Sequence, residues 1–389
     1  MPLAFFVQTI DPEPRISINA QLKLALSDGR FGAVAYTTID GEVRVAEETT
    51  GGWVVSTPPT GVIADDDISR VSLEFDEESR LHLAFPFIHD TSTRIRYGVR
   101  DNAWSFEDVP DAAGLFADRV RFPMMALYRG FLFDQAGSES PEVEARKKAY
   151  RNSPHFCFQR NFELWHAAKL RPREFPPVLG QETQPAVWKK HVEPIDDGSP
   201  ETGGYSTLNW ATDDTLRIAY CDFDPNQDRR LRLATMQRPF DGPFDRPTGW
   251  QMEVLDASAN CAFPSLAQTI TGGGAVSYWD RPRGLKICMF GDFPESPVVE
   301  VVDTSPPDTT EWSSIALSHN QFPPRWTIAY STGGRLKVAQ RIGFNQFEIN
   351  DVDTGGRCPD LAVDRDGNIH VAYLSDGVVK YASAAPEDV

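Results

Sequence analysis

The chain has 389 residues and a formal net charge of -18, with apolar and aromatic content ample for a packed core. Such acidity argues against nucleic-acid binding, which needs a basic face that releases counterions, and no basic stripe with interleaved aromatics occurs. No apolar run approaches the length of a membrane span, and Met1 to Ile10 lacks the charged start and long apolar centre of a secretion signal, so a cytoplasmic location is expected.

The five cysteines, Cys157, Cys221, Cys261, Cys288 and Cys358, are scattered, with no CxxC pair and no metal-finger spacing. They are expected to be small buried hydrophobes in a reducing compartment. No metal or cofactor is expected, because no GxSxG elbow, Walker loop, GxGxxG fingerprint or HExxH occurs.

Taken in order, the chain opens with a lone apolar strand, Leu3 to Asp11, and then repeats one phrase. The first copy runs from Leu22 to Ala46 and on to Trp53; the second from Val71 to Phe87, then Arg94 to Val99 and Trp104. A degenerate third copy has Met124 to Gln135, with its second strand read at Phe131, Leu132 and Phe133, then Glu163 to Leu170 and Trp188. The fourth holds Thr212 to Asp222, Arg230 to Met236 and Trp250; the fifth Pro264 to Asp280 and Leu285 to Phe290; the sixth Trp326 to Gln340. The seventh, CPDLAVDRDGNIHVAYLSDGVVKY from Cys358 to Tyr381, states the pattern most plainly: apolar strands joined by Asp-Gly turns, the strongest short-range hairpin marker. A recurrence at about 50 residues marks a propeller or solenoid.

The expected fold is therefore all-β: one domain over 1–389, a seven-bladed β-propeller of four-stranded antiparallel blades. The seventh copy stops after three strands, so the N-terminal strand is expected to close the last blade and leave only protected edges. Residues 134–161 and 171–185 interrupt the third copy. Tyr150, His155, Phe156, Phe158 and Phe162 make the first of these a candidate flap over a site, with one or two helical turns at Glu142 to Tyr150.

In a propeller the first strands line the channel and start on the face where second and third strands are joined. Residues at both places should converge on one mouth, which gives a small-molecule pocket with a few polar groups. The predicted catalytic donors are His89, Arg121 and Arg70. His89 follows its strand where other copies have Thr or Asp, and histidine titrates near neutrality; the arginines recur at blade starts, where they offer paired donors to a carboxylate or enolate. The predicted walls and contacts are Trp279, Asp280, Trp312, Tyr205, Tyr330, Arg357, Asp222, Phe87 and Phe158. His82 and His370 occupy matching strand positions and are read as structural; Trp53, Trp104, Trp188 and Trp250 open fourth strands and are read as packing between blades. Asp364 to Asn368 faintly matches a calcium loop but fits a β-turn better.

The units from Asp364 to Ala382 and from Thr212 to Met236 resemble the repeats of sialidase-like and fucose-lectin-like propellers, and the resemblance covers nearly the whole chain. The Asp box of the sialidases and the repeated Arg, Glu and Trp of the lectins are not kept. The chain is also similar to fungal lectin-like propellers that act as cofactor-free cyclases, including hetero-Diels–Alder enzymes. What that resemblance implies is a cofactor-free cyclase, pericyclase or lyase-like enzyme with one pocket at the channel mouth. The alternative is a non-catalytic lectin-like or protein-interaction propeller. The expected partner is accordingly a small molecule or a glycan, without nucleic acid or membrane.

Overall fold

The computed structural model describes residues 3–16, 21–27, 31–65, 70–90, 92–109, 120–128, 151–160, 162–170, 187–188, 193–196, 201–211, 215–223, 229–236, 250–269, 272–281, 283–291, 296–307, 312–318 and 325–386. Among these residues all regular elements are strands, arranged in seven antiparallel sheets that follow one another along the chain as the blades of a β-propeller. Strand β1 (Phe6–Asp11) comes first, and blade 1 follows with β2 (Lys23–Leu26), β3 (Gly32–Thr37), β4 (Val43–Thr49) and β5 (Gly52–Ser56). Blade 2 is β6 (Ser72–Phe75), β7 (Leu81–His89), β8 (Ser92–Arg100) and β9 (Trp104–Asp108). Blade 3 is β10 (Arg121–Tyr128), β11 (Ser153–Arg160) and β12 (Glu163–Leu170), with two short strands, β13 (Val187–Trp188) and β14 (Glu193–Asp196), both pairing with β12. Blade 4 is β15 (Glu201–Trp210), β16 (Leu216–Phe223), β17 (Arg229–Met236) and β18 (Trp250–Asp256). Blade 5 is β19 (Cys261–Gln268), β20 (Gly274–Asp280), β21 (Gly284–Phe290) and β22 (Val298–Asp303). Blade 6 is β23 (Ser313–Ser318), β24 (Arg325–Thr332), β25 (Arg335–Gly343) and β26 (Gln346–Thr354). Blade 7 is β27 (Gly356–Val363), β28 (Ile369–Ser375) and β29 (Val378–Ala384), and β1 is its outer strand, with Phe6 opposite Ser383 and Thr9 opposite Lys380. The two chain ends thus share one sheet, as the truncated seventh copy implies.

Hairpin chemistry follows the residues. Asp376 and Gly377 both have positive φ (51° and 80°), the pair a primed two-residue turn requires, and they join β28 to β29 in register from Ser375–Val378 onward.

The blades are bolted together by one repeated device. A carboxylate at the end of one blade's outer strand accepts the phenol of a second-strand tyrosine in the next blade: Tyr36 to Asp11 (2.5 Å), Tyr278 to Asp256 (2.6 Å), Tyr330 to Asp303 (2.9 Å) and Tyr373 to Asp353 (2.9 Å). A third-strand cation completes each one: Arg44, Lys286, Lys337 and Lys380. Within blades 2 and 7 a buried chain runs Asp76–His82–Tyr97 and Asp364–His370–Tyr381, so the two matching histidines fasten a turn to a third strand. Asp364 also accepts from the amides of Asp366 and Asn368, which makes the loop that faintly resembled a calcium site a self-contained Asx turn.

Two sequence expectations are corrected. The second strand of blade 3 is β11, not Phe131 to Phe133: Ser153 pairs with Tyr128 and Cys157 with Met124. Phe158 and the 153–160 part of the supposed flap are therefore sheet, and the end of β10 and the start of β11, Tyr128 beside Ser153, lie at the face opposite the mouth. The helical turns read at Glu142 to Tyr150, and the 171–185 loop, lie outside the described residues. Second, Cys221 and Cys261 are bonded rather than being separate thiols. The end of β16 and the start of β19 bring their Cα atoms to 5.8 Å, inside the span a disulfide bridges. Cys157, Cys288 and Cys358 are buried and take no part in a disulfide among the described residues.

A histidine pair gives the first expected result. His155 Nδ1 and His166 Nε2 lie 3.1 Å apart, buried between Trp210 and Trp250. Burial, and for His155 also its neighbour, lowers both pKa values, that of His166 to about 3. Unfolded histidine takes up a proton near 6.5, so the unfolded state binds more protons from about pH 6.5 downward and stability falls with pH across that window. Urea unfolding should show this decline between about pH 6.5 and 4, and His166→Gln should flatten it. A wild-type profile already flat over that range would contradict the pairing.

Candidate functional site

The site is built from one position per blade. On the second strands, Ala35, Ala84, Cys157, Ala219, Ser277, Ala329 and Ala372 each precede an aromatic residue, and opposite them on the first strands stand Lys23, Ser72, Met124, Thr207, Ser265, Ser314 and Asp360. Two residues earlier on each first strand come Gln21, Arg70, Phe122, Tyr205, Phe263, Trp312 and Cys358. These seven form a layer across the channel. In blades 3, 4, 5 and 7 the pairing register shifts there, and Phe122, Tyr205, Phe263 and Cys358 all have φ between 50° and 57°. A left-handed conformation costs a non-glycine residue about 1–2 kcal/mol, and bulges of this kind re-aim side chains beside functional sites.

The rings pack against one another from blade to blade, each tilted to the next. Ring centres are 4.6 Å apart for Phe122 and Tyr205, 3.9 Å for Tyr205 and Phe263, and 4.2 Å for Phe263 and Trp312. Arg70 crosses from blade 2, lies 5.7 Å over the Trp312 ring of blade 6 and donates to the Ser206 carbonyl of blade 4 at 2.6 Å. The layer is an aromatic floor. Beneath it a polar cavity of about 350 Å3 runs along the first strands to Leu26, Leu317 and Val363.

Above the floor the mouth is basic. Arg229 lies 6.0 Å over the Tyr205 ring, and Arg281 is close enough to feel both Tyr205 and Arg229. Burial lowers the Arg281 pKa; Tyr205 opposes this, and the repulsion of Arg229 adds to it to a lesser degree. Arg121 and Arg357 immediately precede the layer in blades 3 and 7, both half-buried, with Arg121 5.9 Å over the exposed Phe162 ring. Among the described residues the carboxylates of this sector are already engaged: Asp222 by Arg230 and Arg232, Asp280 by Lys286 and the Asn260 amide. Guanidiniums gathered over rings can seat an anion whose body stacks on the floor. No three His, Cys, Asp or Glu side chains gather to hold a metal among the described residues.

The structure unites only part of the predicted set. Arg70, Arg121, Tyr205, Trp312 and Arg357 stand at the floor or its rim. Trp279, Tyr330 and Phe87 are packed in blade interiors with at most 1% exposure, and Phe158 holds the matching second-strand position in blade 3. Asp222 and Asp280 are buried ion-pair acids. His89 is solvent-facing at the end of β7, its Nδ1 3.2 Å from the Asp90 carboxylate and its ring edge-on to Phe87, with no described contact to a first strand. Sequence reasoning missed Phe122, Phe263 and Arg229. The recurring dipeptides Phe122-Pro123, Phe263-Pro264 and Cys358-Pro359 at the starts of first strands were the available sign of the bulge.

The sequence matches no family model and no curated protein. Similarity appears among solved structures. The polysaccharide lyase Uly1 superposes with a TM-score of 0.54 at 10% identity, over 98% of this chain and 91% of that one. A triple arginine-to-alanine variant of AofleA from Arthrobotrys oligospora gives 0.52 at 13% identity, over 91% of both chains. Trypanosoma rangeli sialidase in complex with sialic acid gives 0.52 at 10% identity, over 93% of this chain but 59% of that one. Identities this low establish the architecture and not the chemistry: the chain is a β-propeller, of seven blades by its own sheets, similar in fold to these proteins.

Proposed function

We propose that the mouth binds one acidic, ring-shaped small molecule, an acidic sugar or an oligosaccharide carrying one. The observation that carries this reading is Arg229 over the Tyr205 ring with Arg281 near enough to feel both, two cations gathered at one mouth in a chain of net charge -18. A carboxylate would take the paired N–H donors while the sugar ring lies on Tyr205 and Phe122. The names of two of the similar structures, a polysaccharide lyase and a sialidase in complex with sialic acid, agree with a carbohydrate ligand.

A lyase-like reaction without a cofactor suits the same donors. Arginines that hold a uronate carboxylate also stabilise the enolate formed when the neighbouring proton leaves; the Tyr205 oxygen would receive that proton as its own O–H proton passes to the departing glycosidic oxygen, whose bond to the ring carbon breaks to leave the unsaturated sugar. A cyclase of hetero-Diels–Alder type would use the same rings and donors to hold its substrate, but nothing at the mouth favours it over the sugar acid. Because the loops and floor residues differ from blade to blade, repeated lectin sites are not favoured.

The test is a binding screen of oligosaccharides differing only in charge. Uronate-containing oligomers are expected to bind and their neutral counterparts to bind at least about tenfold more weakly, with affinity falling as salt rises. Equal affinity for the neutral series would sink the reading. Released unsaturated product would add the lyase step.

A further inference from the structure

The cavity under the aromatic floor holds two buried polar atoms whose needs the protein leaves unmet. Arg70 is 5% exposed; one guanidinium nitrogen donates to the Ser206 carbonyl, but its Nε has no partner. Gln21, 6% exposed and bridged to Arg70 across blades 1 and 2, has an unpartnered Oε1. Both line the cavity of about 350 Å3. Among the described residues Arg70 forms no ion pair. The carboxylate attracting it, Asp360, already accepts from Lys23, Ser314 and the Leu24 amide. Burial pulls the Arg70 pKa down to about 10, against the attraction of Cys157 and Asp360, so it is still a cation at neutral pH. A buried cation without a counter-charge and a buried acceptor without a donor are each costly, and native proteins usually fill such needs with a ligand or ordered water.

We propose that this chamber is a second ligand site, separated from the mouth by the floor, for a small hydroxy-carboxylate. The carboxylate takes the free edge of the Arg70 guanidinium, and the hydroxyl donates to Gln21 Oε1. The ligand arrives along the first strands from the opposite face, where Leu26 and Val363 are partly exposed.

The probes are glycolate and its hydroxyl-free isostere propionate, titrated calorimetrically into the full chain. Glycolate is expected to bind with one site per chain and propionate roughly tenfold more weakly, the effect of one lost hydrogen bond left unmatched. Gln21→Leu should bring glycolate to the propionate level, and Arg70→Met, if it folds, should abolish both. The Arg229→Ala/Arg281→Ala variant should bind glycolate normally, so that failure of the chamber and failure of the mouth are told apart. No saturable glycolate binding would mean that the chamber holds water only and would overturn the proposal. So would glycolate binding that survives Gln21→Leu and vanishes with the mouth arginines.

Discussion

Replacing Arg229 and Arg281 together by alanine is expected to abolish binding of an acidic ligand at the mouth while leaving the propeller folded. Each charge-assisted hydrogen bond contributes about 1.5–3 kcal/mol, so losing two weakens binding by at least about 100-fold. Folding should survive, because Arg229 is half-buried and Arg281 exposed at the end of β20, and neither belongs to the carboxylate–tyrosine bolts. Lysine at both positions should restore part of the affinity, since it keeps the charge but loses the planar paired donors. Fluorescence titration alongside thermal melting separates the two effects. Unchanged affinity in a folded double-alanine variant would remove the arginines from the site.

The second large effect concerns Asp76. Its side chain is fully buried and accepts four hydrogen bonds: from the amides of Glu78 (3.0 Å) and Arg80 (2.8 Å), from Arg80 Nε (2.7 Å) and from His82 Nε2 (3.0 Å). Burial alone would raise this carboxyl, but the bonds from His82 and Arg80 outweigh it and hold the pKa at about 2. Asp76→Ala strands His82 and Arg80 beside an emptied turn, so a loss of about 3–5 kcal/mol is expected in urea unfolding. Asp76→Asn should lose less, because it keeps an acceptor for the two amides. The folded pKa is the depressed one, so the contribution of Asp76 is complete above the unfolded value of about 3.9 and disappears as pH falls toward 2. A loss below about 1 kcal/mol for the alanine variant would mean that the turn stands without its carboxylate.

Asp364 repeats the arrangement in blade 7, and that repetition explains why so much of the fold was legible in the sequence. A residue that recurs at one strand position solves the same packing problem in several blades, the histidine chain in two and the tyrosine bolt at four interfaces. His82 and His370 could be read as structural on that ground, and the lone N-terminal strand could be matched to the missing place in blade 7. The same rule exposes what went astray. Tyr330 belongs to the series Tyr36, Tyr278, Tyr373, and Trp279 follows one of its members; both were read as ligand contacts although their strand position is a repeated core position. Blade 3 misled for another reason. Phe131 to Phe133 is an apolar run at the expected distance, whereas β11 carries Pro154, a residue that weakens any strand reading.

The candidate site was half legible because half of it is made of sequence-local features. Arg121, Tyr205, Trp312 and Arg357 sit at blade starts, which the repeat locates. Which of these reach one another depends on register shifts that turn Phe122, Tyr205 and Phe263 into the channel, and a bulge leaves only a faint trace in residue types. Arg229 needed the length of the preceding loop as well. Asymmetry within the layer, four rings on consecutive blades and then cysteine, glutamine and arginine, is what separates one site from seven.

That asymmetry makes stoichiometry the most direct measurement. Isothermal titration of the full chain with a uronate-containing tetrasaccharide is predicted to give a single site per chain, absent in the Arg229→Ala/Arg281→Ala variant. Several equivalent sites per chain, retained in that variant, would place the ligands between the blades and contradict a single basic mouth over an aromatic floor.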